Sequence, residues 1–198
     1  MSPRVIVYDI EIERAIPNVK EAPLQGIQYC AGWKDFRGMG IAVLCATDTQ
    51  ERVPRVFLQD NLPAFAEWSK GAILAGHSNR GFDDPILQAL GLWTAVASYD
   101  MLRALRVALG ESPEFVPGRT KCGRRVDDLA RMNLGIQKSM DGALAPIRWQ
   151  EGHRGEVIDY CLRDVAIELA LFDKRADLLD PVTGAAVRLA EPSEEGNP

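Results

Sequence analysis

Little in this 198-residue chain offers nitrogen or sulfur to a metal ion: it has two histidines, and its four cysteines (Cys30, Cys45, Cys122, Cys161) form no CxxC pair. That scarcity excludes the usual structural zinc sites and leaves free thiols in a reducing cytosol as the expected state. Long apolar runs are also missing. Ala72-Ile73-Leu74-Ala75 is typical, far too short to cross a bilayer, and no basic stretch leads into an apolar one at the N-terminus. A soluble, cytoplasmic protein without a membrane partner is the expectation. Positive charge is scarce as well, since 23 Lys and Arg against 28 Asp and Glu give a net charge of -5. This argues against a broad basic surface that coats nucleic acid. It leaves room for a protein that touches a few phosphates through a local patch, with divalent cations supplying the remaining charge. The local patch is the stretch 119–125, where Arg119, Lys121, Arg124 and Arg125 are either phosphate contacts or part of an ordinary solvated loop.

What is present is enough for one core. The chain is 46% hydrophobic, and its length suits a single domain over residues 1–190. Residues 191–198, acidic and interrupted by Pro and Gly, are expected to be a disordered tail. Strands are predicted at 4–10, 28–33, 40–45 and 53–58, in β-branched or aromatic runs bounded by Gly, Pro and Asp. A short helix over 62–69, with Asn61 as its N-cap, precedes a buried parallel strand at 72–75. Helices follow at 84–90, 100–109 and 127–134, each stopped by a glycine, and a longer one spans about 155–176. A last edge strand is expected within 185–189. Strands first, then strand and helix alternating, predict an α/β fold with a mixed sheet flanked by helices.

Three acidic clusters carry the chemistry. Asp9 and Glu11 lie two apart in an otherwise apolar strand, so both carboxylates leave one face, roughly 6–7 Å apart at the backbone. Their repulsion is tolerable at a solvated strand end, or where a cation sits between the oxygens. The second cluster, Asn79 to Pro85, follows the buried strand. Pro85 suits the first helical position and makes Asp84 the natural N-cap, whereas Asp83 has no such local task. Asp83 is either an exposed turn carboxylate or a ligand reaching across the strand ends. In the long helix, Tyr160 and Asp164 are four apart and share a face, with Asp164 at the flank of the apolar arc. An acid placed there needs an arginine or a metal as partner.

In combination and in this order, the clusters resemble the DEDD superfamily of 3′-5′ exonucleases, which has a ribonuclease H-like fold. The matching segments are Tyr8-Asp9-Ile10-Glu11, Asn79-x-x-Phe82-Asp83 and Tyr160-x-x-x-Asp164. The first has the form found in proofreading domains of family B DNA polymerases, and the third marks the tyrosine branch. The histidine branch would carry histidine at position 159, which here is Asp159. The resemblance spans residues 5 to about 175.

The resemblance implies an enzyme that hydrolyses phosphodiester bonds at a 3′ end of DNA or RNA, single-stranded or frayed, and releases nucleoside 5′-monophosphates. Asp9, Glu11, Asp83 and Asp164 would hold two Mg²⁺ or Mn²⁺ ions roughly 3.5–4 Å apart, an oxygen-only ligand set that suits hard cations. Tyr160 would orient or deprotonate the attacking water, and Glu11 would also contact the terminal 3′ hydroxyl. Asn79 and Phe82 are expected as support or strand-contact residues. Two other readings are an endonuclease of the same fold, which the tyrosine motif disfavours, and a catalytically silent module that binds nucleic acid or a protein partner.

Overall fold

In the computed structural model, which describes residues 3–20, 22–117, 120, 122–136 and 142–194, the β-branched run near the N-terminus forms the central strand β1 (Val5–Glu11). Strand β2 (Val43–Asp48) pairs antiparallel with β1, and β3 (Pro54–Leu58) continues antiparallel at that edge. On the other side β4 (Ile73–Gly76) runs parallel to β1, and β5 (Ala97–Asp100) runs parallel to β4. The mixed sheet therefore has the order β3-β2-β1-β4-β5. This is the α/β architecture expected from the sequence, and no helix of the described residues is long and apolar enough to cross a membrane.

Period-two alternation in β1 divides the protein into two cores. Ile6, Tyr8 and Ile10 point to one face, where they meet Leu44, Phe57, Phe65, Ile86 and Leu87. Helices α1 (Phe36–Met39), α2 (Leu62–Trp68) and α3 (Asp83–Ala89) supply much of that layer. Val5 and Val7 point to the opposite face, together with Cys45, Ile73 and Tyr99. There they are covered by α4 (Met101–Ala108), α5 (Val126–Leu134), α6 (Ala145–Gln150) and the long α7 (Arg154–Asp173). Val157, Cys161, Val165 and Phe172 form the inward face of α7, while Asp159 and Arg163 stay exposed.

Several boundaries differ from the expectation. The segment 28–33 is not a strand; Tyr29 makes a single bridge with Ala15. Its backbone is held instead by a side chain, since Gln150 accepts from the Gln28 amide at 2.7 Å and donates to the Gln28 carbonyl at 3.1 Å. Asn61 precedes α2 but does not cap it; its side chain accepts from the Leu58 amide. Strand β5 was not predicted, because four residues that include Ser98 give no readable alternation. Gly135 does end α5 in the left-handed conformation, as its position predicts.

Beyond α7, β6 (Leu178–Leu179) and β7 (Ala186–Val187) form a small separate hairpin. The chain is anchored where the expected tail begins: Tyr99 donates to the Ala190 carbonyl at 2.8 Å just before it, Arg175 donates to Glu191 at 2.7 Å, and Pro192 is buried. Residues 195–198 lie outside the described residues.

Arg124 corrects a further expectation. Rather than reaching phosphate, its side chain is turned inward, donating to Asp180 at 2.7 Å and to Glu111 at 2.8 Å. Asp180 also accepts from the Thr183 hydroxyl at 2.6 Å, so one guanidinium ties the segment after α4 to the β6–β7 turn. Burial would raise the Asp180 pKa, but Arg124 and the Thr183 and Val182 donors outweigh it and hold it down to about 2. Arg124→Met should cost about 3 kcal/mol of unfolding free energy, because it leaves a buried carboxylate without its cation. A depressed acid stabilises the fold above its unfolded pKa, so this contribution should fade as pH falls from about 4 toward 2. Urea unfolding of both proteins across that range checks this, with the gap between them expected to narrow as the pH drops.

Candidate functional site

The site begins where the apolar face of β1 runs out. Val5, Val7, Asp9 and Glu11 share the face that α7 covers, so the last two alternating positions place carboxylates under that helix. The pairing of β1 with β4 spans only residues 5–7, whereas β2 follows β1 to its end, with Asp9 opposite Cys45 and Glu11 opposite Val43. Cys161 of α7 lies directly beneath, donating its thiol to the Asp9 carbonyl at 3.5 Å. Burial pushes the Cys161 thiol well above its ordinary pKa, which keeps it a packing group.

One turn further along α7, Asp164 meets the strand. Asp9, Glu11 and Asp164 each offer one oxygen, and the three oxygens lie within 4.8 Å of one another. Glu11 and Asp164 are buried and Asp9 is half-buried. Such a grouping of hard oxygen donors fits a divalent cation of the Mg²⁺ or Mn²⁺ type and does not fit the softer ligand set of structural zinc.

Tyr160 stands beside the triad, its hydroxyl hydrogen-bonded to Asp164. Burial, reinforced by the charges of Asp164 and Glu11, raises its pKa far above the ordinary phenol value. That environment favours the neutral, hydrogen-donating form of the phenol.

Asp83 comes from the other side of the sheet. Strand β4 ends at Gly76, where a Cβ would stand 3.0 Å from the Asn79 side chain and 3.3 Å from the Tyr8 carbonyl, so a glycine permits the close turn. Ser78 then adopts the left-handed conformation (φ 66°), held by its amide donating to Asp100 at 3.0 Å. A 3₁₀ turn over Asn79–Gly81 leads into α3 with Asp83 in its first turn. Asp83 is buried and accepts from the Ile10 amide, which draws it against β1. Burial, then the charges of Asp9 and Asp84, raise its pKa well above the usual carboxylate range. It stands next to the triad electrostatically without being one of the three grouped oxygens.

Asp84 is not the N-cap. The residue before α3 is Phe82, and Asp84 is buried in the Tyr8 layer. Its carboxylate accepts from the Tyr8 hydroxyl at 2.5 Å, the Ser98 hydroxyl at 2.6 Å and the Asn79 amide at 3.1 Å. Asn79 also donates to Ser98 at 3.0 Å and is 1% exposed, so it is a support residue with no face open to a strand. The sequence could not show this network, because its members lie on β1, the 3₁₀ turn, α3 and β5.

A cleft of about 800 Å³ opens over the acidic group. Asp9, Glu11, Asp83, Tyr160 and Asp164 all line it, as does Phe82. It also takes in His77, Trp33 and Glu168, which sequence reasoning did not assign to the site. Glu168 follows Asp164 by one turn of α7 and is buried; that spacing was the available signal. Trp33 had none, since its segment is irregular. His77 donates through Nε2 to the Arg124 carbonyl at 2.9 Å and shares the wall between this cleft and a neighbouring hollow lined by Arg125. Arg125 is exposed there, with Asp128 3.9 Å away. Arg119 and Lys121 lie outside the described residues.

The two adjacent aspartates should respond differently to amidation. Asp84→Asn sets an amide NH₂ among three donors and should cost about 1–3 kcal/mol. Asp83→Asn removes a charge that burial and Asp9 oppose, so stability without metal should hold or rise. Thermal melting in EDTA distinguishes them; an Asp84→Asn protein that melts with the wild type would remove the network from this account.

No family model matches the chain, and no curated protein matches it. Among solved structures it is similar to the family B DNA polymerase from the hyperthermophilic archaeon Pyrobaculum calidifontis, with a TM-score of 0.56 and 17% identity. That match covers 88% of this chain and 24% of the polymerase chain. At this identity the likeness is one of fold.

Proposed function

We propose that the chain is a metal-dependent 3′-5′ exonuclease of the tyrosine-branch DEDD type, cutting phosphodiester bonds at the 3′ end of DNA or RNA and releasing nucleoside 5′-monophosphates. The observation that carries this is the convergence of Asp9, Glu11 and Asp164 within 4.8 Å, with Tyr160 hydrogen-bonded to Asp164 in one open cleft. The likeness to a quarter of a family B DNA polymerase supports a nucleic-acid substrate.

Asp9, Glu11 and Asp164 would hold the cations, and Asp83, within electrostatic reach of Asp9, would complete the set when positive charge offsets its burial. Bound there, two Mg²⁺ or Mn²⁺ ions supply charge neutralisation at the scissile phosphate and raise the acidity of water. Tyr160 would orient or deprotonate the attacking water, its hydroxyl set beside Asp164. Phe82, one residue before Asp83, lines the cleft as a strand contact, and Arg125, in the neighbouring hollow, is proposed as a phosphate contact. Arg119 and Lys121 remain proposed phosphate contacts from the same stretch. The exonuclease unit is proposed to span residues 1–190.

The test is degradation of 5′-labelled single-stranded DNA, duplex DNA and RNA in Mg²⁺, Mn²⁺ or EDTA. Stepwise shortening with release of mononucleotides is expected in either metal and none in EDTA. Asp9→Asn and Glu11→Gln should each lower turnover by several orders of magnitude while leaving the circular dichroism spectrum unchanged. A folded wild-type protein that binds the strands yet releases nothing in any metal is instead the silent binding module.

A further inference from the structure

The cleft has a second wall that the carboxylate chemistry does not use. Trp33 is 69% exposed, a large apolar surface to leave in water, and it lines the same cleft as the acidic group. It sits in a turn, not in a strand, and its ring meets Phe82 edge-on, with centroids 6.3 Å apart and planes at 62°. Phe82 is covalently next to Asp83, so the aromatic pair begins one residue from a carboxylate. Ile16, Pro17 and Val19 line the same cleft, Val19 being 97% exposed. One cavity thus combines hard oxygen donors with an unfilled aromatic and aliphatic surface. The other three tryptophans all have places in the packing: Trp68 and Trp93 lie against one core and Trp149 is buried in the other.

We propose that Trp33, seated on Phe82, is a stacking platform for the unpaired base at the 3′ end of the strand. The inference rests on the proposed exonuclease reading and adds a specificity determinant to it. A nucleotide has an anionic phosphate and, one sugar away, an apolar base face; the cleft lines both kinds of surface, carboxylates and an aromatic pair, in one cavity. Stacking on an aromatic ring tolerates any base, because every base has a π-face. Pairing occupies a base's edge and not its face, so the ring asks only that the face of the terminal base be open to it. The platform therefore holds the strand end by the face of its last base and not by sequence.

Trp33 is exposed enough that Trp33→Ala should fold, and an unchanged melting temperature verifies it. On single-stranded oligothymidylate in Mn²⁺, Trp33→Ala should raise KM on the order of 10-fold or more with a smaller change in kcat, and Trp33→Phe should restore most of it. An oligomer ending in a 3′ abasic residue should show the loss already in the wild type, with little further loss in Trp33→Ala. A Trp33→Ala protein with unchanged KM, or with the same loss on both oligomers, overturns the platform. Should the wild type cleave nothing, the exonuclease reading fails and fluorescence still decides the inference. Quenching by oligothymidylate that Trp33→Phe abolishes supports the platform, while absent quenching, or quenching that survives the substitution, overturns it.

Discussion

Everything at the site follows from one constraint: a strand alternates, and β1 carries its alternation past the end of its apolar residues. Val5 and Val7 bury under α7, and the same face then presents Asp9 and Glu11. Bringing Asp164 and Tyr160 of α7 onto that face puts a third carboxylate among the first two. Like charges held this close in a partly desolvated place raise one another's energy. A bound cation relieves that cost, and the surrounding packing has to sustain it in the meantime. The apolar contacts of α7 with β1 and β2, and the Cys161 thiol under the Asp9 carbonyl, hold the helix in that position.

The opposite face of the sheet supplies the rest of the rigidity through buried polar groups bonded to one another. Asp84 gathers Tyr8, Asn79 and Ser98, and so fixes the turn after β4 to the central strand and to β5. Asp83 is positioned as a consequence, because it is the neighbour of an anchored residue and has its own carboxylate drawn to the Ile10 amide. Two adjacent aspartates thereby serve opposite faces of the sheet, one locking the fold and the other facing the cleft. Arg124 plays a comparable locking part at the far side, where it joins Glu111 to Asp180.

Much of this was legible in the sequence, for physical reasons that can be named. The β-branched run of β1 and the three-and-four spacing of α7 report their own buried faces, so Asp9, Glu11, Tyr160 and Asp164 could be placed relative to the core. The α/β class followed from the order of strand and helix signals. Local signals misled where a tertiary contact took over a local role. Pro85 argued for an N-cap at Asp84, but Tyr8, Ser98 and Asn79 recruited that carboxylate from three other elements. Arg124 looked like a surface cation until Asp180, far along the chain, enclosed it. The segment around Tyr29 has strand composition, yet a glutamine side chain from α6 takes its backbone hydrogen bonds. Trp33 was silent for the same reason: its place in the cleft depends on Phe82, which lies on a different element.

The central claim is that Asp9, Glu11 and Asp164 form a cation site. Anomalous diffraction from crystals soaked in Mn²⁺ tests it most directly. A strong manganese peak is expected within bonding distance of oxygens from all three residues, lost in crystals of Asp164→Asn. Manganese that binds only elsewhere, or a triad occupied by a lysine or arginine side chain in place of metal, would contradict it.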